Sequence, residues 1–238
     1  MLCLHKGAVK CDRESLYQVA TPEATETWTP IPHTQLVESA RNALMSSGAT
    51  IEQEEFGIYK NGLRMFGIFS LTGVADGRNL VVGIRNSHDK TFPAGLSLGN
   101  RVFVCDNLSF SGDVVVARRH TKHINRDIDR LVFDAVSKLS DMRATQEKRF
   151  LAYQATALTD MQANEFVIRA MQARVFGGDA VPRVVAEYYN PRHDDFRSRT
   201  LWSMFNAVTE CLKGVNPDTL VKRTLTLHGL ADTFAQVI

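Results

Sequence analysis

Three short runs with strand character, at about 50–59, 63–72 and 79–86, are joined by Asn61-Gly62 and Asp76-Gly77. Asn-Gly and Asp-Gly supply the positive φ angles that tight hairpin turns need, so the three runs are expected to form an antiparallel meander. Two more candidate strands, about 96–105 and 112–119, are joined through Asn107 to Gly112 and bring the expected sheet to about five strands.

Helical periodicity flanks the meander. Leu36, Val37, Ala40 and Leu44 recur at helical spacing, with Thr34 placed as an N-cap and Gly48 just past the end. After the strands, Ile124, Ile128, Leu131, Val132, Ala135, Val136 and Leu139 make a stripe wide enough to seat a helix on the sheet. From about 140 onward strand signals cease, and helices are expected near 141–158, 161–175, 182–189, 199–213 and 217–227, punctuated by Gly177-Gly178, Asn190-Pro191, Gly214 and Pro217. The expected class is α+β: a meander of about five strands with packed helices, then a helical part. The implied organisation is an extended N-terminal arm (1–33), a core domain (34–140) and a helical C-terminal region packed on it (141–238). The arm is read from Pro22, Pro30 and Pro32 in a Thr-rich stretch that shows neither hydrophobic period.

With 44% hydrophobic residues in 238, the chain can bury a sizeable core. No apolar stretch approaches the roughly 18 to 20 residues of a membrane span, and the first residues turn polar too early for a secretory signal, so a cytoplasmic protein with no membrane partner is expected. Cysteines at 3, 11, 105 and 211 have neither CxxC spacing nor the density of a disulfide scaffold. The net charge of +2 does not by itself announce a polyanion partner, which must be sought in local clusters.

Two clusters stand out. Arg85-Asn86-Ser87-His88-Asp89-Lys90 packs six polar or charged side chains at the end of a strand, where they cannot all be buried without partners. Asn86, Ser87 and Asp89 suit a turn that satisfies its own backbone, whereas Arg85, His88 and Lys90 suit an anion grip. A catalytic His88–Asp89 pair is disfavoured, because neighbours on an extended segment point to opposite sides. The second cluster runs from the last strand into the next helix: Arg118, Arg119, Lys122, Arg126 and Arg130, with His120 and His123 among them and only Asp127 and Asp129 against them. A basic strip of this kind suits phosphate contacts; a solvated helix face laced with ion pairs is the plainer alternative.

Catalytic and metal signatures are weak. Cys3, His5 and Cys11, or His88, Cys105, His120 and His123, lack common zinc spacings, and neither a metal nor another cofactor is expected. Gly95-Leu96-Ser97-Leu98-Gly99 matches G-x-S-x-G, but the residues after it are strand-like, so it is not a nucleophile elbow. No catalytic residue is assigned.

Ile84-Arg85-Asn86-Ser87-His88-Asp89-Lys90, Arg101-Val102-Phe103-Val104-Cys105-Asp106-Asn107 and Asn206-Ala207-Val208-Thr209-Glu210 together resemble the phage/plasmid-like family of unknown function, the DUF932 domain. The likeness runs from Thr29-Pro30-Ile31-Pro32-His33 to about residue 213 and implies a mobile-element setting without an established reaction. The helix–meander–helix order is also similar to the core of single-strand annealing proteins of the Rad-fifty-two type, which form oligomeric rings; that likeness is one of topology alone. The function expected is binding of single-stranded DNA in mobile-element replication or recombination, strand annealing included, by a homo-oligomer. Arg85, His88, Lys90, Arg118, Arg119, Lys122, Arg126 and Arg130 would contact it. The alternatives are a nucleotide-processing enzyme or small-molecule binder centred on residues 85–90, with Asn86, Ser87, Asp89, Cys105 and Asn107 as its polar site, or a phage counter-defence protein that binds a host protein.

Overall fold

In the computed structural model, which describes residues 7–72, 78–102 and 107–237, the meander is present and longer than expected. Six antiparallel strands lie side by side in chain order: β1 (Val9–Cys11), β2 (Ile51–Tyr59), β3 (Arg64–Leu71), β4 (Arg78–Ser87), β5 (Ala94–Val102) and β6 (Asn107–Arg118). The extra strand is β1, drawn from the stretch expected to be an extended arm, and it pairs with β2 through Val9 and Ile58. A short helix, α1 (Arg13–Tyr17), comes next, capped by the Asp12 carboxylate on the Ser15 amide at 2.8 Å.

Tyr59 pairs with Arg64, so four residues turn the β2–β3 hairpin, and Lys60, Asn61 and Gly62 are all left-handed there. The Asn-Gly dipeptide does mark this turn. Its Asp76-Gly77 counterpart lies outside the described residues.

Helices cover both faces of the sheet. On one face, α2 (His33–Ser46) and α3 (Ile124–Val136) bring Leu36, Val37, Ala40, Leu44, Ile128 and Val132 against Phe69, Val82, Ile84 and Leu96. On the other lie α4 (Leu139–Ala155), α5 (Asp160–Gln172), α6 (Val181–Tyr189), α7 (Leu201–Cys211) and α8 (Pro217–Ala235). Phe150, Phe166, Trp202 and Phe205 of this layer share a core with Phe66, Ile68, Val81 and Phe110 of the sheet. Met65 and Phe69 thus face one layer while Phe66 and Ile68 face the other, the two-residue alternation of a strand with apolar residues on both sides. The result is the α+β architecture expected, with a helical C-terminal part. Helix α2 begins two residues earlier than the Thr34 cap implied: Pro32 holds the cap position and His33 opens the helix with its side chain buried.

Close packing between strands relies on glycine at one place in particular. A Cβ on Gly99 would run into the Ser109 carbonyl and come within 2.9 Å of Phe110 Cδ1, at a register shift between β5 and β6. Backbone cannot yield as a side chain can, so Gly99→Ala is expected to cost about 2–3 kcal/mol of stability. Urea unfolding followed by circular dichroism would register this as a lower midpoint, and an unchanged midpoint would refute it.

Candidate functional site

Two residues of the 85–90 segment, Asn86 and His88, are spent on holding the arm. Asn86 comes after Val82 and Ile84 on the face covered by α2, and its Nδ2 donates to the Ile31 carbonyl and to His33 Nδ1, both at 3.0 Å. His88 Nε2 donates to the same Ile31 carbonyl at 2.9 Å, and its ring stacks on that of His33 with centroids 4.0 Å apart and planes 3° from parallel. Because His33 Nδ1 accepts from Asn86, its proton sits on Nε2, which donates to the Gly62 carbonyl in the β2–β3 turn at 2.8 Å. Three chain segments meet through two neutral imidazoles and one amide.

The electrostatics require that neutrality. Burial lowers the pKa of His33 to about 4, with the neighbouring His88 and His120 acting in the same direction. His88 is lowered by its own burial. His120, 6% exposed, is lowered to about 4 by burial and by His88. Neither ring nitrogen of His120 has a hydrogen-bond partner among the described residues, although its carbonyl accepts from the Thr29 amide at 3.2 Å.

Ser87 and Asp89 behave as turn residues. Ser87 Oγ donates to the Phe92 carbonyl at 2.7 Å. Asp89 accepts from Arg64 Nε at 2.5 Å and from the Thr91 amide at 3.2 Å. Burial works against ionisation of Asp89, yet bonds from Thr91 and Arg64 more than offset it and hold the carboxyl below its usual range. His88 bonds to the Ile31 carbonyl and Asp89 to Arg64 and Thr91, and no hydrogen bond joins the two side chains as an acid–base pair.

The basic strip divides in two. Arg118 and Arg126 share the Asp127 carboxylate at 2.7 and 2.8 Å, and Arg130 pairs with Asp134 at 3.6 Å. Arg119 and Lys122 are exposed and have no carboxylate partner among the described residues. Lys90, left-handed at φ 65° and exposed, is likewise free of carboxylates among the described residues, and its ammonium lies 4.8 Å from the Trp28 ring centre. Arg85, on the opposite side of β4 from Asn86, carries its guanidinium 5.3 Å from the Phe92 ring centre.

These pieces enclose a cleft of about 440 Å³ between the arm, the β4–β5 loop and the β6–α3 junction. Lys90 and Phe92 line it from the loop, Arg119 and His120 from the junction, and Trp28 from the arm. The two clusters recognised in the sequence therefore contribute to one concave surface. His88, expected to line such a groove, is 4% exposed and serves the arm instead. Cys105 and the side chain of Asn107 lie outside the described residues. Trp28, His33 and Phe92 were not singled out from the sequence. Ser97 of the G-x-S-x-G match is buried within β5, with strand on both sides. No group of three metal-ligating side chains is found among the described residues. Among them, too, no helix is long and apolar enough to cross a membrane.

The fold and cleft define an α+β protein with a six-stranded antiparallel meander between two helical layers and a cation-rimmed aromatic cleft at the sheet margin. By family model the chain belongs to the domain-of-unknown-function family DUF932, matched over residues 23–228. No curated protein and no solved structure matches it significantly.

Proposed function

We propose that this protein binds single-stranded nucleic acid, with the cleft as the point of contact, and that the resemblance to phage/plasmid-like proteins gives the setting as mobile-element replication or recombination. One observation carries the reading: Lys90 and Arg119, from segments about thirty residues apart in sequence, line one cleft together with Trp28 and Phe92. Cations that track a backbone beside rings on which bases stack are what sequence-tolerant single-strand binding requires. Lys90, Arg119 and Lys122 would take the phosphates. Arg118, Arg126 and Arg130, already paired with carboxylates, would add less.

Fluorescence anisotropy with a labelled single-stranded oligonucleotide tests this. Affinity is expected to fall steeply with salt, and Lys90→Ala/Arg119→Ala/Lys122→Ala to weaken it at least tenfold while flattening the log–log salt slope by about 2. Arg197→Ala, on the surface and paired with Asp194, should leave both unchanged. A triple variant that binds like the parent would end the reading. A second reading, a binder of free nucleotides, is favoured by the concavity of the cleft and by the ion pairs that divide the strip.

A further inference from the structure

We propose that the cleft is a pocket for a single nucleotide unit, with its base between Trp28 and Phe92, its phosphate on Lys90 and Arg119, and the His120 ring hydrogen-bonded to the base edge. The inference rests on the reading of this cleft as the nucleic-acid site and adds what the cleft recognises.

His120 is the independent observation. It is more than nine-tenths buried, it lines the cleft, and both of its ring nitrogens lack partners among the described residues. A buried polar group left unmatched is costly, so a ring held in this state is matched by whatever enters. The chemistry of that partner comes from the ring's charge. Burial opposes protonation, no carboxylate of the described residues bonds to the ring, and Lys90 and Arg119 line the same cleft. The imidazole is therefore neutral near pH 7, one nitrogen donating and the other accepting. The phosphodiester of a strand offers acceptors only and can meet only the donating nitrogen. Base edges carry both donors and acceptors, so a base can meet either the donating or the accepting nitrogen, whichever it reaches, the two pointing to opposite sides of the ring.

The aromatic walls agree with a planar guest. The His120 and Trp28 rings lie within 14° of parallel at 6.2 Å, and the Arg85 guanidinium steadies Phe92. Lys90 now lies over Trp28; being exposed, it can exchange that ring for a phosphate as a base takes its place. About 440 Å³ is within the range of small-ligand sites and far too little for a run of nucleotides.

The test uses the full chain and Trp28 emission, with Trp202 replaced by Phe to isolate the signal. Probes are nucleoside 5′-monophosphates, inorganic phosphate, a single-stranded oligonucleotide and an abasic oligonucleotide of equal length. Expected are saturable quenching by the monophosphates with no response to phosphate alone, and abasic binding at least tenfold weaker than that of the normal strand. His120→Phe should weaken monophosphate binding at least tenfold; Phe92→Leu, at a half-exposed position, provides the same test should His120→Phe fail to fold. Equal binding of normal and abasic strands, with no response to monophosphates, would overturn the pocket while leaving strand binding intact. Monophosphate binding with no tighter binding of oligonucleotides would uphold the pocket, with free nucleotide as its ligand, and remove the nucleic-acid reading. A response to phosphate as strong as to nucleotide would overturn the inference as well.

Discussion

Taking the protein from pH 7 to pH 4 is expected to remove most of its stability, with the loss beginning near pH 6.5, well before most carboxylates titrate. His33 and His120 have pKa values near 4, and His228, buried in the C-terminal layer near Arg149, is near 3. In the unfolded chain each returns to about 6.5, so between these values the unfolded state binds protons that the folded state refuses. The sign is that of depressed bases: the contribution is complete above pH 6.5 and drains away as pH falls towards the folded values. Between pH 7 and pH 4 the linkage of His33 and His228 amounts to roughly 3 kcal/mol each, against a total stability of about 5–15 kcal/mol for a typical domain. Urea midpoints measured at half-unit steps between pH 7.5 and 4 should stay level to about pH 6.5 and decline steadily below it. A plateau down to pH 4.5 would mean that these rings are solvated or charged in the native state.

The second large effect is expected from Asn86→Leu, which keeps size and removes the amide. Two buried acceptors, the Ile31 carbonyl and His33 Nδ1, lose a donor at once. Ile31 retains His88, but nothing replaces the bond to His33 Nδ1. Stripping a central donor from a buried polar network is expected to cost about 2–4 kcal/mol. The functional consequence is distinct from the energetic one. Trp28 is three residues before Ile31, so loosening that attachment takes away one wall of the cleft. Protease nicking within residues 20–33 should accelerate, and the response of Trp28 to nucleotides should vanish while the far-ultraviolet circular dichroism persists at low temperature. If the arm remains as protected as in the parent, Asn86 is not what holds it.

The meander was legible because its signals are local. Asn61-Gly62 dictates a turn whatever surrounds it, and the runs on either side are short, strand-like and bounded by turn residues. The stripe from Ile124 likewise announces α3. Strand β1 has three residues, too few to show a period, and its pairing with β2 is a long-range contact that leaves no mark on Val9-Lys10-Cys11. Helix α8 runs to Ala235, beyond the expected end near 227, because the chain continues helically through Gly229 and buries Ala231 against its neighbours. Packing there outweighs glycine's weak propensity.

The candidate site was half legible for a similar reason. Side-chain chemistry in Arg85–Lys90 and Arg118–Arg130 shows in the sequence, so both clusters drew notice. What those side chains touch does not show. Asn86 and His88 reach the Ile31 carbonyl more than fifty residues away, and a backbone carbonyl carries no residue-type signature. Trp28 and His33 sit in a stretch without hydrophobic period, where composition gives no cue that an imidazole will be buried.

Coverage of the sheet on both sides limits how any partner can approach. With α2 and α3 on one broad surface and α4 to α8 on the other, the described residues of β3 and β4 offer no open platform on which a long polymer could be laid flat. Access is left to the perimeter, where loops gather. A strand of nucleic acid would then meet each copy edgewise and touch it over a short stretch, so tight association with a long strand would have to come from several copies placed along it, each contributing one small point of attachment.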